Sequence, residues 1–168
     1  MDYRPASRTL GIQMPTVTVY VSSDGLSDGD WARRYGVLVR ALDVPDIEVS
    51  VEVSKTTNLR AQLLGLLDAL EEVSTHDRSN VFIHHKCEMI DTWAAHGGIQ
   101  PFAQRNFIGK DGKPILNADL WEQFVELDRR HNFLYRYLPD DSKKKAHERN
   151  FTQNKYLKYV DRLCGRME

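Results

Sequence analysis

The chain has 168 residues, of which 41% are hydrophobic and 28% charged, a length and composition that fit one globular domain with a buried core. Its formal net charge of −1 excludes an overall positive field of the kind that drives strong, sequence-independent binding to nucleic acid. No apolar run approaches the roughly 20 residues of a membrane-spanning helix, and residues 1–15 lack the apolar segment of a signal peptide. We therefore expect an intracellular protein without a membrane partner, in which the two cysteines are reduced thiols.

The first part of the chain predicts an irregular arm and then three strands. Residues 1–15 contain two prolines and a glycine and predict the arm, whereas 16–168 show no internal boundary and predict a single domain. Runs rich in apolar and β-branched residues predict strands over 16–21, 35–42 and 47–53. Because only turn-like segments separate these strands, we expect them to form an antiparallel meander.

The remainder of the chain alternates helices and strands. Thr57 or Asn58 can cap a helix in which apolar residues recur at helical spacing from Leu59 to Val73. Residues 96–114, rich in glycine, predict an irregular segment. The other segments predict, in chain order, a strand, two helices, a strand and a helix over 80–85, 88–95, 119–130, 133–138 and 148–163. The order β-β-β-α-β-α-α-β-α predicts an α/β fold with a mixed five-stranded sheet flanked by helices.

Four groups of segments, in this order along the chain, resemble ribonuclease H of the cellular type-1 and retroviral kind. Residues 57–63 read T-N-L-R-A-Q-L and are similar to the family's T-N-N-R-x-E-L. Residues 113–121 read K-P-I-L-N-A-D-L-W and are similar to K-P-V-x-N-x-D-L-W. The other matching segments are 17–20 with 35–36, 81–88, 135–138 and 147–149. The resemblance spans about residues 16–163 and implies the ribonuclease H fold.

The resemblance also implies a reaction that this chain is poorly equipped to perform. Family enzymes cut the RNA strand of an RNA–DNA hybrid with two Mg²⁺ ions, which need clustered carboxylates. The family's four acidic positions are occupied here by Ser22 (or Asp24, two residues on), Gln62, Lys86 and Phe151. Since an ammonium group at Lys86 would repel metal cations, we expect no catalytic residues and no cofactor.

Two alternatives would restore a metal site. Asp24 could be a displaced Mg²⁺ ligand, although an Asp-Gly pair favours a turn. A new site could combine Asp24 with His147 and one of His84 and His85. Only one of those two neighbours could take part, because adjacent side chains of a strand point to opposite faces. Lys86 itself could instead point to solvent, or pair with a phosphate.

Residues that would bind nucleic acid are better preserved. Asn58 and Arg60 match family positions that contact the hybrid, and Lys86 could pair with a phosphate. Lys110 lies where some members carry a basic protrusion, and Lys143 and Lys144 belong to a basic stretch near the C-terminus. Our leading hypothesis is an inactive ribonuclease H-like domain, a pseudoenzyme, that binds an RNA–DNA hybrid, double-stranded RNA or a protein. The alternatives are a divergent Mg²⁺-dependent hybrid nuclease that uses Asp24, and a structural subunit of a polymerase or other assembly.

Overall fold

The computed structural model describes residues 15–25, 31–42, 44–74, 78–138 and 151–163. The predicted N-terminal arm lies outside these residues except for Pro15. Side chains are not described for Ser74 or for 151–155 and 157.

A mixed five-stranded sheet forms the centre of the described fold, as the sequence predicts. Its strands are β1 (Thr16–Ser23), β2 (Trp31–Ala41), β3 (Ile47–Thr57), β4 (Asn80–His85) and β5 (Asn132–Tyr137). They lie in the order β3-β2-β1-β4-β5. The predicted meander is confirmed, since β2 is antiparallel to both β1 and β3, while β4 is parallel to β1 and β5.

Helices follow β3, β4 and β5. They are α1 (Asn58–Ser74), α2 (Glu88–Ile90), α3 (Gln100–Ala103), α4 (Ala118–Arg130) and α5 (Phe151–Leu163). The predicted helix over 88–95 is α2 continued by a π-helical segment, Asp91–Ala95. The short helix α3 lies where an irregular segment was predicted, with Pro101 near its start. No helix among the described residues is long and apolar enough to cross a membrane.

The two faces of the sheet carry different cores. On one face, α1 and α4 bury the larger cluster, whose fully or almost fully buried side chains include Val19, Leu63, Ile83 and Trp121. On the other face, Tyr20 and Leu38 pack with Val160 of α5 and with Leu138. Because β1 side chains alternate between the two faces, Tyr20 and Ser22 both point to the α5 side.

Gly65 allows α1 to approach the sheet closely. A Cβ atom at this position would lie 2.8 Å from Cδ1 of Tyr35 and 3.0 Å from Cγ2 of Val21. The hydroxyl of Tyr35 donates a hydrogen bond to Asp68 of α1 at 2.9 Å, which fixes the ring. The approach matters for function because α1 carries Asn58 and Gln62 to the edge of the sheet.

We predict that Gly65→Ala destabilises the protein by about 1–3 kcal/mol, the usual cost of overpacking a tight site. Helix propensity alone would give the opposite sign, since alanine is favoured over glycine by about 1 kcal/mol inside a helix. Urea unfolding measures the change. Gly109→Ala is the control, because an added Cβ there makes only ordinary contacts of 3.5 Å or more. Unchanged or increased stability of Gly65→Ala would contradict the close approach.

Candidate functional site

Four polar side chains from separate parts of the chain meet at one edge of the sheet. β1 and β4 are parallel, so Ser22, near the end of β1, and Lys86, just after β4, lie at the same edge. β3 runs in the same direction, and α1 therefore starts there, with Gln62 in its second turn. The last helix contributes Asp161. We refer to Ser22, Gln62, Lys86 and Asp161 as the lysine–aspartate site.

An ion pair between Lys86 and Asp161 forms the centre of this site. The Nζ atom of Lys86 lies 3.0 Å from Oδ2 of Asp161. The hydroxyl of Ser22 donates a hydrogen bond to Oδ1 of the same carboxylate at 2.5 Å. The two charged side chains are only 14% and 12% exposed. Such buried charges are tolerated when each is paired and hydrogen-bonded, and both carboxylate oxygens are used here.

The side-chain amides of Gln62 and Asn58, both on α1, form a buried hydrogen-bond network next to the ion pair. Oε1 of Gln62 accepts a hydrogen bond from the backbone N–H of Lys86 at 3.2 Å, and its Nε2 donates to Oδ1 of Asn58 at 3.0 Å. The hydroxyl of Ser23 donates to the same Asn58 oxygen. Gln62, Asn58 and Ser23 are all fully buried. An amide suits position 62 because it accepts and donates at once, whereas a carboxylate only accepts.

These residues do not fit a Mg²⁺ ion. Mg²⁺ prefers several hard oxygen ligands, and the site offers one carboxylate whose two oxygens already serve Lys86 and Ser22. The ammonium group of Lys86 would also lie within a few ångströms of a bound cation, where like charges repel by several kcal/mol. Across the described ranges, no three His, Cys, Asp or Glu side chains are grouped so as to hold a metal ion.

Asp24, which directly follows β1, forms hydrogen bonds with β2. Its Oδ1 accepts hydrogen bonds from the backbone N–H groups of Arg33 at 2.8 Å and Arg34 at 3.2 Å. Its own N–H donates to the carbonyl of Arg34 at 3.1 Å. These contacts hold Asp24 against the first residues of β2. Its role as a metal ligand remains a prediction.

Known proteins with sequences similar to this chain carry the name ribonuclease H. No family model matches the chain. The chain is 28% identical over 121 residues to ribonuclease H of Thiobacillus denitrificans, covering 71% of this chain and 79% of that protein. With ribonuclease H of Pelobacter propionicus it shares 25% identity over 142 residues, 82% of this chain and 83% of that protein. The chain is a divergent relative of ribonuclease H.

Solved structures show the same fold at lower identity. LC9-RNase H1, a type 1 RNase H with the type 2 active-site motif, superimposes with a TM-score of 0.65 at 23% identity, over 89% of this chain and 72% of that one. The foamy viral protease–reverse transcriptase in complex with an RNA/DNA hybrid gives a TM-score of 0.61 at 11% identity. That match covers 97% of this chain and 21% of the viral chain. The predicted ribonuclease H fold is thereby confirmed.

The fourth member of the site comes from a different place than the ribonuclease H resemblance implied. Phe151 starts α5, and the start of this helix was expected at the site. Instead Asp161 reaches it, ten residues later and about 15 Å further along the helix axis. The direction of α5 explains the difference. Tyr156 contacts Tyr20, whereas the carbonyl of Leu163 accepts a hydrogen bond from Ser50, so the helix approaches the site with its C-terminal end.

Asp161 was not predicted as a site residue because it stands beside the apolar stripe of its helix. It follows Val160, which is fully buried, and Asp161 as a whole residue is only 8% exposed. A carboxylate next to a buried stripe, on a helix that otherwise shows basic residues to solvent, was the available signal. The sequence did not reveal its partner, since Lys86 lies 75 residues away.

The residues predicted to contact nucleic acid differ in their exposure to solvent. Asn58 is fully buried within the amide network and faces no solvent. Arg60 forms a bidentate ion pair with Asp119, at 2.8 and 3.1 Å, and also donates to Asn117 at 3.1 Å. Its guanidinium group lowers the pKa of Asp119. Lys110 is exposed. Lys143 and Lys144 lie outside the described residues, as does His147.

The two adjacent histidines of β4 are both buried and lie on different faces of the sheet. His84 stacks on Tyr20 with ring centroids 4.6 Å apart, and His85 stacks on Tyr137 at 5.5 Å. Burial, helped by the positive charge of Arg136, lowers the pKa of His84 to about 4. Burial lowers the pKa of His85 to about 3. Both rings are therefore neutral at pH 7 and act as packed aromatic groups.

We predict that removing one charge of the ion pair costs more than removing both. Lys86→Met leaves the carboxylate of Asp161 buried without its cation and should destabilise the protein by about 3 kcal/mol. Asp161→Asn should cost a similar amount, whereas the double variant should recover much of the loss. A double-mutant cycle measured by urea unfolding gives the coupling. Strictly additive effects would show that the two charges do not interact.

Acid should destabilise the protein through His84. Because its pKa is lower in the folded state, the unfolded chain binds a proton first as the pH falls. The contribution of neutral His84 to stability is complete above its pKa in the unfolded chain, about 6.5. It is lost as the pH falls towards its pKa in the folded protein, about 4. His84→Phe keeps the stacking but cannot bind a proton. Between about pH 7 and pH 5 we expect its free energy of unfolding to fall by about 2 kcal/mol less than that of the wild type. Urea unfolding at both pH values measures this difference, with exposed His96→Gln as the control.

Proposed function

We propose that this chain is a ribonuclease H-like domain that does not cleave its ligand by metal-dependent hydrolysis and that binds an RNA–DNA hybrid. The observation that carries the proposal is the buried ion pair of Lys86 and Asp161. Its lysine stands where the resemblance to ribonuclease H implies a metal-binding acid. A lysine cannot ligate Mg²⁺ while it is protonated, and it cannot activate a metal-bound water.

Binding without cleavage is supported by what the fold retains. The relatives described above are named ribonuclease H, and the foamy viral protein, 21% of which matches this chain, was solved with an RNA/DNA hybrid. Exposed cations stand on several described segments. Arg33 near the start of β2 and Lys55 near the end of β3 lie at the edge from which α1 starts, and Lys110 precedes α4. With an overall charge of −1, such local cations support a moderate affinity that depends strongly on salt.

The ion pair is also a substitute for bound metal within the protein itself. Ribonuclease H-like acids clustered at a sheet edge repel one another unless cations lie between them. Here the cation is covalently part of the chain, and Asp161 is the single acid among the four side chains of the site, so their charges balance.

We predict no metal-dependent cutting of a labelled RNA–DNA hybrid in Mg²⁺ or Mn²⁺, together with hybrid binding that weakens as salt is raised. Gel electrophoresis measures the cutting, and fluorescence anisotropy measures the binding. Cutting that requires metal and is abolished by Asp24→Ala would overturn the inactive assignment in favour of a divergent nuclease. Absence of hybrid binding even at low salt would overturn the binding role and favour a protein partner.

A gain-of-function control tests whether the geometry of the site alone would allow metal binding. Ser22→Asp, Gln62→Glu and Lys86→Asp together place three new acids beside Asp161, and calorimetry should then detect Mg²⁺ binding. Adding Asp161→Asn should weaken that binding, whereas adding Phe151→Asp should not strengthen it, because position 151 lies about 15 Å along the helix. The reverse pattern would show that the start of α5 supplies the fourth position.

A further inference from the structure

Trp31, the first residue of β2, is unusually open to solvent. It is 60% exposed, whereas Trp121 is 1% exposed and lies in the core. An exposed tryptophan presents a large aromatic surface that is often used for binding. Trp31 is not part of the lysine–aspartate site.

An irregularity in the sheet places a cation on one face of the Trp31 ring. Ala32 pairs with Thr56 and Arg34 pairs with Glu52, so three residues of β3 stand opposite the single residue Arg33 of β2. Bulges of this kind redirect side chains. The extra length includes Lys55, whose Nζ lies 5.0 Å from the centroid of the Trp31 ring, within range of a cation–π interaction.

The surface formed by Trp31, Arg33 and Lys55, which we call the tryptophan platform, adjoins the lysine–aspartate site. Trp31 pairs with Thr57, and the next residue in the chain is Asn58, which belongs to the amide network of that site. Arg33 and Lys55 are exposed. Among the described residues, the carboxylate of Asp24 accepts a hydrogen bond from the backbone N–H of Arg33. The platform therefore combines an open aromatic ring with two exposed cations.

We propose that the tryptophan platform stacks an unpaired nucleobase of the bound nucleic acid. This inference rests on the proposed function and adds the kind of ligand that the domain prefers. Every nucleobase has a π-face that can stack on an aromatic ring, and nearby cations attract the backbone phosphates. Bases inside a duplex are already stacked and cannot occupy the platform. The preferred ligand is thus an RNA–DNA hybrid that continues into a single-stranded tail.

The chemistry of the platform favours nucleic acid over a protein partner. A protein docking site places apolar neighbours around an exposed aromatic anchor and keeps charges at its rim. Here the amine of Lys55 lies over the Trp31 ring and exposed Arg33 stands two residues further along β2, whereas the exposed aliphatic residues Leu42 and Val44 lie near the other end of β2. A cation directly over the ring complements a phosphate-bearing ligand.

The test compares a blunt RNA–DNA hybrid with the same hybrid carrying a short single-stranded tail that contains 2-aminopurine. We expect the wild type to bind the tailed hybrid roughly 5- to 150-fold more tightly, the range contributed by stacking one base on an aromatic ring. The 2-aminopurine fluorescence should be quenched on binding. Trp31→Ala should abolish both the preference and the quenching and leave the affinity for the blunt hybrid unchanged. Trp31→Phe should retain part of both.

Leu42→Ala is the matched control, because Leu42 is 86% exposed and follows the opposite end of β2. It should bind both hybrids like the wild type. Equal affinity of the wild type for tailed and blunt hybrids, or a tail preference that persists in Trp31→Ala, would overturn the platform while leaving hybrid binding intact. Binding of the single-stranded tail alone, lost in Trp31→Ala, without any binding of blunt hybrid would support the platform and overturn the proposed hybrid function.

Discussion

The ion pair between Lys86 and Asp161 is the interaction on which the candidate site depends. It joins the end of β4 to the last helix across the edge of the sheet, and Ser22 of β1 donates to the same carboxylate. Once this cation is built into the chain, carboxylates are no longer needed around it. The neighbouring positions can then be a hydroxyl and an amide, which are uncharged and can satisfy one another when buried.

The segments that resemble ribonuclease H hold the fold together as well as lining the site. Arg60, Asn117 and Asp119 belong to two separate matching segments, yet they contact one another and thereby tie the start of α1 to the start of α4. Asn117 also adopts a left-handed conformation with φ of 62°, which asparagine tolerates better than most residues. The similarity at these positions therefore has a packing role as well as any role in ligand binding.

Much of the fold could be predicted from the sequence because it depends on local patterns. The alternation of β1 and the helical stripe from Leu59 to Val73 specify their elements directly. The extra length of β2 and β3 was missed, since Arg33 and Arg34 interrupt the apolar pattern and a bulge changes the register. The burial of Asn58 was missed too, because a polar residue at the start of a helix normally serves as an exposed cap.

The sequence by itself predicted that Gln62 and Lys86 stand where ribonuclease H carries acids, because both positions lie in short segments that resemble those of the family. Only the tertiary structure decided what Lys86 does. Its partner Asp161 is distant in sequence and reaches the site through the direction of α5, which no local pattern specifies. Burial next to one particular carboxylate makes Lys86 the residue that joins the end of β4 to α5.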